Sequence, residues 1–345
     1  MDQLLQKLHR TAKDAEKLLD DNDKWINQYN DYAKKILSVK EIIEKARASF
    51  REYKPLYVYS SISQIKGTKK DDIKFDLRYG GLSVADIEIS EGKNHGDDPR
   101  ILRPKANIGK TYCIKGIEGG KEYKWLSKNA ETFRSYFIKG NPPYKKGKTE
   151  HRYESLLLTE FSKKSGKEKK LKNIQPVRLC DNRFQMSTPL KASEGKKGLE
   201  YNRTNRSPID FLCRTGRGQS GRLNVFELKS FYKEPIEVLQ QAVIYSVFIL
   251  KLLKNPDAGS RIWRKLFEYG KTFDIARPLE INAVVAMPMD KKYDNSPEDE
   301  KVWFKNQVIN VGIDTIRLHY LYFSLAKNEK GDEIIAEIKT SLPNK

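Results

Sequence analysis

Between Ser207 and Tyr245, charged side chains are set inside apolar runs at the spacing of a β-strand. Asp210 lies between Ile209 and Phe211, and Glu227 and Lys229 alternate with Phe226 and Leu228 in N-V-F-E-L-K-S. Successive side chains of a strand point to opposite faces, so Glu227 and Lys229 share one face and Leu228 takes the other. Two charges on one face of an apolar strand are costly to bury unless they are paired or bound to a metal. The turn T-G-R-G-Q-S-G-R lets the two runs pair as an antiparallel hairpin, which brings Asp210 near Glu227. An apolar helix is expected next, from about Pro235 to Leu253, with Gln241 and Tyr245 on one of its faces because they lie four residues apart.

The chain around this stretch reads as α/β. From Tyr153 a helix (Y-E-S-L-L-L-T-E-F, carrying Glu154 and Glu160) and a basic turn (S-G-K-E-K-K-L-K-N) lead into strand-like runs I-Q-P-V-R-L-C and R-F-Q-M-S-T-P-L. Beyond the helix at 235–253, I-N-A-V-V-A-M-P has the near-continuous apolarity of a central strand. I-R-L-H-Y-L-Y-F-S-L and I-I-A-E-I-K-T-S-L then form a hairpin across Asn328 to Asp332. Helix, strands, helix and strand in that order make an α/β layer over 141–345.

Residues 1–52 read as a helical segment. Leu4, Leu5, Leu8, Ala12, Ala15, Leu18 and Leu19 recur at spacings of three and four, and Trp25, Ile26, Tyr29, Tyr32 and Ile36 resume the pattern after a break at Asp20–Asp23. A second break near Ser38 precedes a third helix through Phe50. Such a segment serves either as a helical layer on its own core or as an arm for a second copy or a partner protein. Residues 53–140 read as a small β-rich region suited to recognition. Its strands are L-Y-V-Y-S-S-I, I-K-F-D-L-R-Y, L-S-V-A-D-I-E-I and K-T-Y-C-I, with Gly80–Gly81 a turn, Glu91–Arg103 an exposed loop, and a helix over Leu126–Phe137 with Ser127 or Asn129 near its start. The Gly-, Pro- and Lys-rich piece K-G-N-P-P-Y-K-K-G-K-T-E-H-R is a linker.

Composition narrows the function. Lys and Arg number 66 against 46 Asp and Glu, a net charge of +20, which suits a polyanion because each neutralised phosphate releases counterions. Cys113, Cys180 and Cys213 are odd in number and dispersed, which excludes a disulfide framework or a cysteine-ligated zinc or iron–sulfur site and leaves buried thiols. His9, His95, His151 and His319 are equally scattered. No apolar run reaches the roughly 18 residues of a membrane span, and M-D-Q-L-L-Q-K-L has no signal-peptide pattern, so the expected compartment is the cytoplasm. Neither G-x-x-x-x-G-K-[ST] nor G-x-G-x-x-G occurs, which argues against nucleotide-driven chemistry.

Glu-x-Lys alone says little in a lysine-rich chain, and it recurs at Glu91, Glu122, Glu168, Glu194 and Glu337. Its neighbourhood at Glu227 is what distinguishes it. The combination of Asp210 on one strand, Glu227-Leu-Lys229 on the next and Gln241-Ala-Val-Ile-Tyr245 on the following helix resembles the PD-(D/E)xK nuclease superfamily, including the Q-x-x-x-Y element of its RecB-type members. The resemblance covers roughly Tyr153 to Pro288. Pro208-Ile209-Asp210 departs from the motif by one intervening residue.

The resemblance implies a restriction-endonuclease-like core, a mixed sheet flanked by helices, and Mg²⁺-dependent (or Mn²⁺-dependent) hydrolysis of DNA phosphodiester bonds. It implies Asp210, Glu227 and the Leu228 carbonyl as metal ligands, with Glu154 completing the site and Lys229 positioning the water or stabilising the transition state. Gln241 and Tyr245 would orient the site or contact the nucleic-acid backbone. Glu160 competes with Glu154, Gln240 with Gln241, and Asp314 with Glu337 and Lys339 forms a rival set too near the chain end for a following helix. Restriction or anti-phage defence is the setting this suggests, and a nucleic-acid-binding module that keeps the fold without catalysis is the alternative.

Overall fold

The computed structural model describes residues 2–47, 54–61, 72–90, 100–140, 142, 149–164, 169–179, 182–192, 199–202, 207–216, 221–231, 235–269, 273–289, 303–304, 307–329 and 331–343. The chain is mixed α/β and divides into two compact units. The larger holds Met1–Ala33, Leu156–Val177 and Met186–Lys345, and the smaller holds Lys34–Ser155 and Arg178–Gln185.

Helices α1 (Asp2–Asp20) and α2 (Lys24–Arg47) open the chain, with the expected break at Asp21–Asp23 between them. The expected second break near Ser38 is absent, and α2 runs through it to Arg47. One serine costs a helix interior only about 0.5 kcal/mol, too little to end it. Phe50 lies outside the described residues.

In the smaller unit, β1 (Leu56–Ser61), β2 (Asp72–Tyr79), β3 (Leu82–Ser90) and β4 (Arg100–Pro104) pair antiparallel in sequence order. The β2–β3 turn uses Gly80 and Gly81, both at positive φ (54° and 83°), a backbone region glycine enters without strain. Two expectations fail here. Arg100–Pro104, assigned to an exposed loop, is a strand whose apolar Ile101 and Leu102 are buried between flanking arginines. K-T-Y-C-I is not a strand, because Ile108–Tyr112 forms the short helix α3 and Cys113 closes it in the left-handed region. Ile108 and Tyr112, four residues apart, both face the core. Cys113 is exposed, not buried. Beyond β5 (Tyr123–Lys124), α4 (Lys128–Gly140) begins one turn after Ser127, whose hydroxyl accepts from the Ala130 amide at 3.3 Å. Most of the expected linker lies outside the described residues, and its last four belong to α5 (Thr149–Phe161).

The chain from Ile174 serves both units. β6 (Ile174–Pro176) belongs to the larger sheet, whereas β7 (Arg178–Leu179) and β8 (Asn182–Gln185) complete the sheet of the smaller unit, β8 running parallel to β1. Two small ladders follow, β9 (Ser187–Thr188) with β12 (Ser207–Pro208), and β10 (Leu190–Ala192) with β11 (Leu199–Tyr201).

The larger unit is built on β13 (Phe211–Thr215), β14 (Arg222–Leu228), β15 (Glu280–Pro288), β16 (Val308–Val311), β17 (Asp314–Lys327) and β18 (Glu333–Thr340). Their order is β16-β17-β15-β14-β13-β6, with β18 also on β17. β14, β15 and β17 are mutually parallel at the centre, and the other pairs are antiparallel. β15 is the fully apolar strand between them, its seven residues Ile281–Met287 all buried. Between β14 and β15 come α6 (Pro235–Lys254) and α7 (Ala258–Leu266). α6 is apolar on all sides because it is covered on all sides: one flank packs on β14 and β15, and another takes α1 through Leu8, Ala12, Ala15 and Leu19. Lys251 fixes that contact by pairing with Glu16 and Asp20 at 3.2 and 2.8 Å. The first helix is therefore a layer on the core of this unit.

Candidate functional site

The hairpin β13–β14 sets the geometry. Its register pairs Phe211 with Phe226, so one step further Asp210 stands opposite Glu227. The two phenyl rings stack on one face, with centroids 4.5 Å apart, and rest against Phe161. Alternation then puts Glu227 and Lys229 on the other face, beneath α6. Burial is deep: Glu227 is 6% and Lys229 9% exposed, while Asp210 is half-buried.

Hydrogen bonds hold these groups in one array. The Leu228 amide donates to Asp210 Oδ2 at 2.6 Å, so the aspartate is tied to the backbone of the Glu-Leu-Lys segment. Lys229 Nζ donates to Glu227 Oε1 at 2.9 Å and to Gln241 Oε1 at 2.8 Å. Gln241 Nε2 in turn donates to the Ala192 carbonyl at 3.1 Å, which fixes the orientation of its amide. One turn along α6, the buried Tyr245 hydroxyl feels both carboxylates. Burial, then Glu227, then Asp210 push its ionisation well above the ordinary phenol range, so it is a neutral O–H group at any physiological pH.

The rivals are placed elsewhere. Gln240 points to α1 and donates to Thr11 Oγ1 at 3.2 Å. Glu160 is engaged by the turn after its own helix, through Lys163 Nζ at 2.6 Å and the Lys170 amide at 2.7 Å. Glu154 belongs to the smaller unit, where it pairs with Arg78 and His151, both at 3.8 Å. Asp314 accepts from the Leu279 amide at 2.8 Å and pairs with Lys254 at 3.2 Å, a clamp at the start of β17. Glu337 and Lys339 lie on β18, opposite Ser324 and Tyr322.

The Ala192 carbonyl is the participant that sequence reading missed. A backbone acceptor leaves no trace in side-chain identity. Among the described residues, no three His, Cys, Asp or Glu side chains gather as a metal cluster. Asp210, Glu227 and the backbone at Leu228 offer hard oxygens without nitrogen or sulfur. That donor chemistry suits Mg²⁺, an ion commonly bound through one or two carboxylates while it keeps several waters. Among the described residues, no helix is long and apolar enough to cross a membrane. No protein-family model, no curated protein and no solved structure matches this chain.

Proposed function

We propose that this chain is a metal-dependent nuclease hydrolysing DNA phosphodiester bonds, with a restriction-endonuclease-like core in the larger unit. The observation that carries the reading is the array itself: Asp210 opposite Glu227, with Lys229 bridging Glu227 to Gln241 on one face of the sheet. Asp210, Glu227 and the Leu228 carbonyl would hold Mg²⁺ or Mn²⁺, which supplies charge neutralisation at the phosphate and a more acidic bound water. Lys229 Nζ would donate to the attacking water or to a phosphoryl oxygen as negative charge grows there. Gln241 limits the swing of that ammonium, and Tyr245 adds a protonated hydroxyl beside the carboxylates. Glu154, the helix carboxylate implied by the resemblance, is engaged with Arg78 and His151, and the proposal stands without it.

A second reading has its own support. The Glu227–Lys229 pair is nearly closed to solvent, and a buried pair of this kind also occurs as internal charge compensation. With a net charge of +20, the chain would then bind nucleic acid without cutting it.

The test is a cleavage assay on linear, circular and single-stranded DNA with Mg²⁺, with and without EDTA. Cutting that EDTA stops, and that Asp210→Ala and Lys229→Ala each abolish in folded protein, supports the nuclease. Full activity in both variants overturns it. Salt-sensitive binding with no cutting supports the second reading.

A further inference from the structure

Aromatic side chains in this protein are withdrawn from solvent with one exception. Among the described residues every Phe, Tyr and Trp is buried or half-buried except Phe231, which is 59% exposed. It follows Lys229 by two residues, where β14 has ended and the backbone bends. The other large apolar residues that are exposed, Leu37, Leu126, Ile138, Ile313 and Ile334, are aliphatic and lie outside the Ser207–Tyr245 stretch. A lone exposed apolar side chain needs no explanation. This one is singled out by its ring and by its place. Glu227–Lys229 stands at the carboxyl end of a strand parallel to β15, the edge of an open α/β sheet at which ligands collect.

We propose that Phe231 is a stacking platform for an unpaired base, and that the Asp210–Glu227–Lys229 site therefore acts on single-stranded DNA or on single-stranded segments within a duplex. This rests on the nuclease reading above. Every base has a π face, so a phenyl ring takes any of them and the contact tolerates all sequences. Bases inside a duplex are stacked on one another and offer that face only when unpaired or extruded. The excess of cationic side chains supplies the backbone attraction that such a platform requires.

The experiment uses the full chain carrying Lys229→Ala to suppress cutting. Its affinity for one fluorescent oligonucleotide is measured by anisotropy, as a single strand and as a duplex, at fixed salt. Adding Phe231→Ala should weaken single-strand binding by at least roughly fivefold, the low end for one stacked base, and leave duplex binding unchanged. Phe231→Trp should retain the single-strand affinity, and circular dichroism should show both variants folded. Equal losses on strand and duplex, or no loss on either, overturn the platform.

The two readings separate cleanly. If the single-strand preference depends on Phe231 but the unmodified protein with Mg²⁺ cuts nothing, hydrolysis fails and the platform stands. If it cuts and Phe231→Ala binds single strands as before, the platform fails alone.

Discussion

Lys229 and Gln241 are joined by a 2.8 Å hydrogen bond from Nζ to Oε1, linking the strand that carries the cation to the helix packed over it. Replacing Gln241 with Leu leaves the ammonium with Glu227 as its anchor and frees it to turn. In folded protein, the cleavage rate should fall by about 10- to 100-fold, the usual cost of losing a supporting partner. Gln240→Leu, one residue away but bonded to Thr11, should leave the rate unchanged. Equal effects of the two variants would contradict the geometry.

Asp314 belongs to a rival constellation that the structure uses as a clamp. Asp314→Ala removes the acceptor of the Leu279 amide and the partner of Lys254. The expected loss is about 1–3 kcal/mol of stability, seen as a lower midpoint in urea, with cleavage per folded molecule unchanged.

In the smaller unit, Arg78 is buried against Asp76 and Glu154 and lies over the Tyr59 ring, its guanidinium carbon 4.2 Å from the centroid. Arg78→Met would leave two buried carboxylates short of their cation. Breaking such a pair on one side costs about 3–5 kcal/mol, which thermal unfolding would register. A loss no larger than that of an exposed arginine such as Arg261 would argue against the network.

His319 makes stability depend on pH. Burial, then Arg317, lowers its ionisation from the ordinary 6.5 to about 4. Between those values the unfolded chain binds the proton and the folded chain does not, so this contribution is whole above about pH 6.5 and is lost as the pH falls towards 4. A shift of that size is worth on the order of 3 kcal/mol. His319→Gln should flatten that part of the melting-temperature profile relative to the unsubstituted chain. Parallel profiles for the two proteins would refute the assignment.

The hairpin and its helix were legible because charge inside an apolar run is expensive, so Asp210, Glu227 and Lys229 advertised a common face. Local pattern failed where apolar spacing fits two periods. In Lys110–Ile114 alternation suggested a strand, whereas Ile108 and Tyr112 satisfy the helical spacing. Arg100–Pro104 was hidden because two arginines border a strand with only two apolar residues in its middle. No local signal could have shown that Ile174–Pro176 and Asn182–Gln185 enter different sheets, since that is decided by partners far along the chain. Competition between Gln240 and Gln241 was likewise settled by tertiary packing, which turns one towards α1 and the other towards Lys229.

Thr11 and Gln240 touch across 229 residues of chain. During synthesis α1 emerges first, and Leu8, Ala12, Ala15 and Leu19 have no α6 to cover them until well over half of the protein has been made. The apolar face waits in water meanwhile, a natural target for holding chaperones. Dissection meets the same dependence. A fragment beginning at residue 141 keeps every residue of the Asp210–Tyr245 array, yet strips α6 of the helix that shields its outer flank, and should aggregate unless residues 1–33 are supplied in trans.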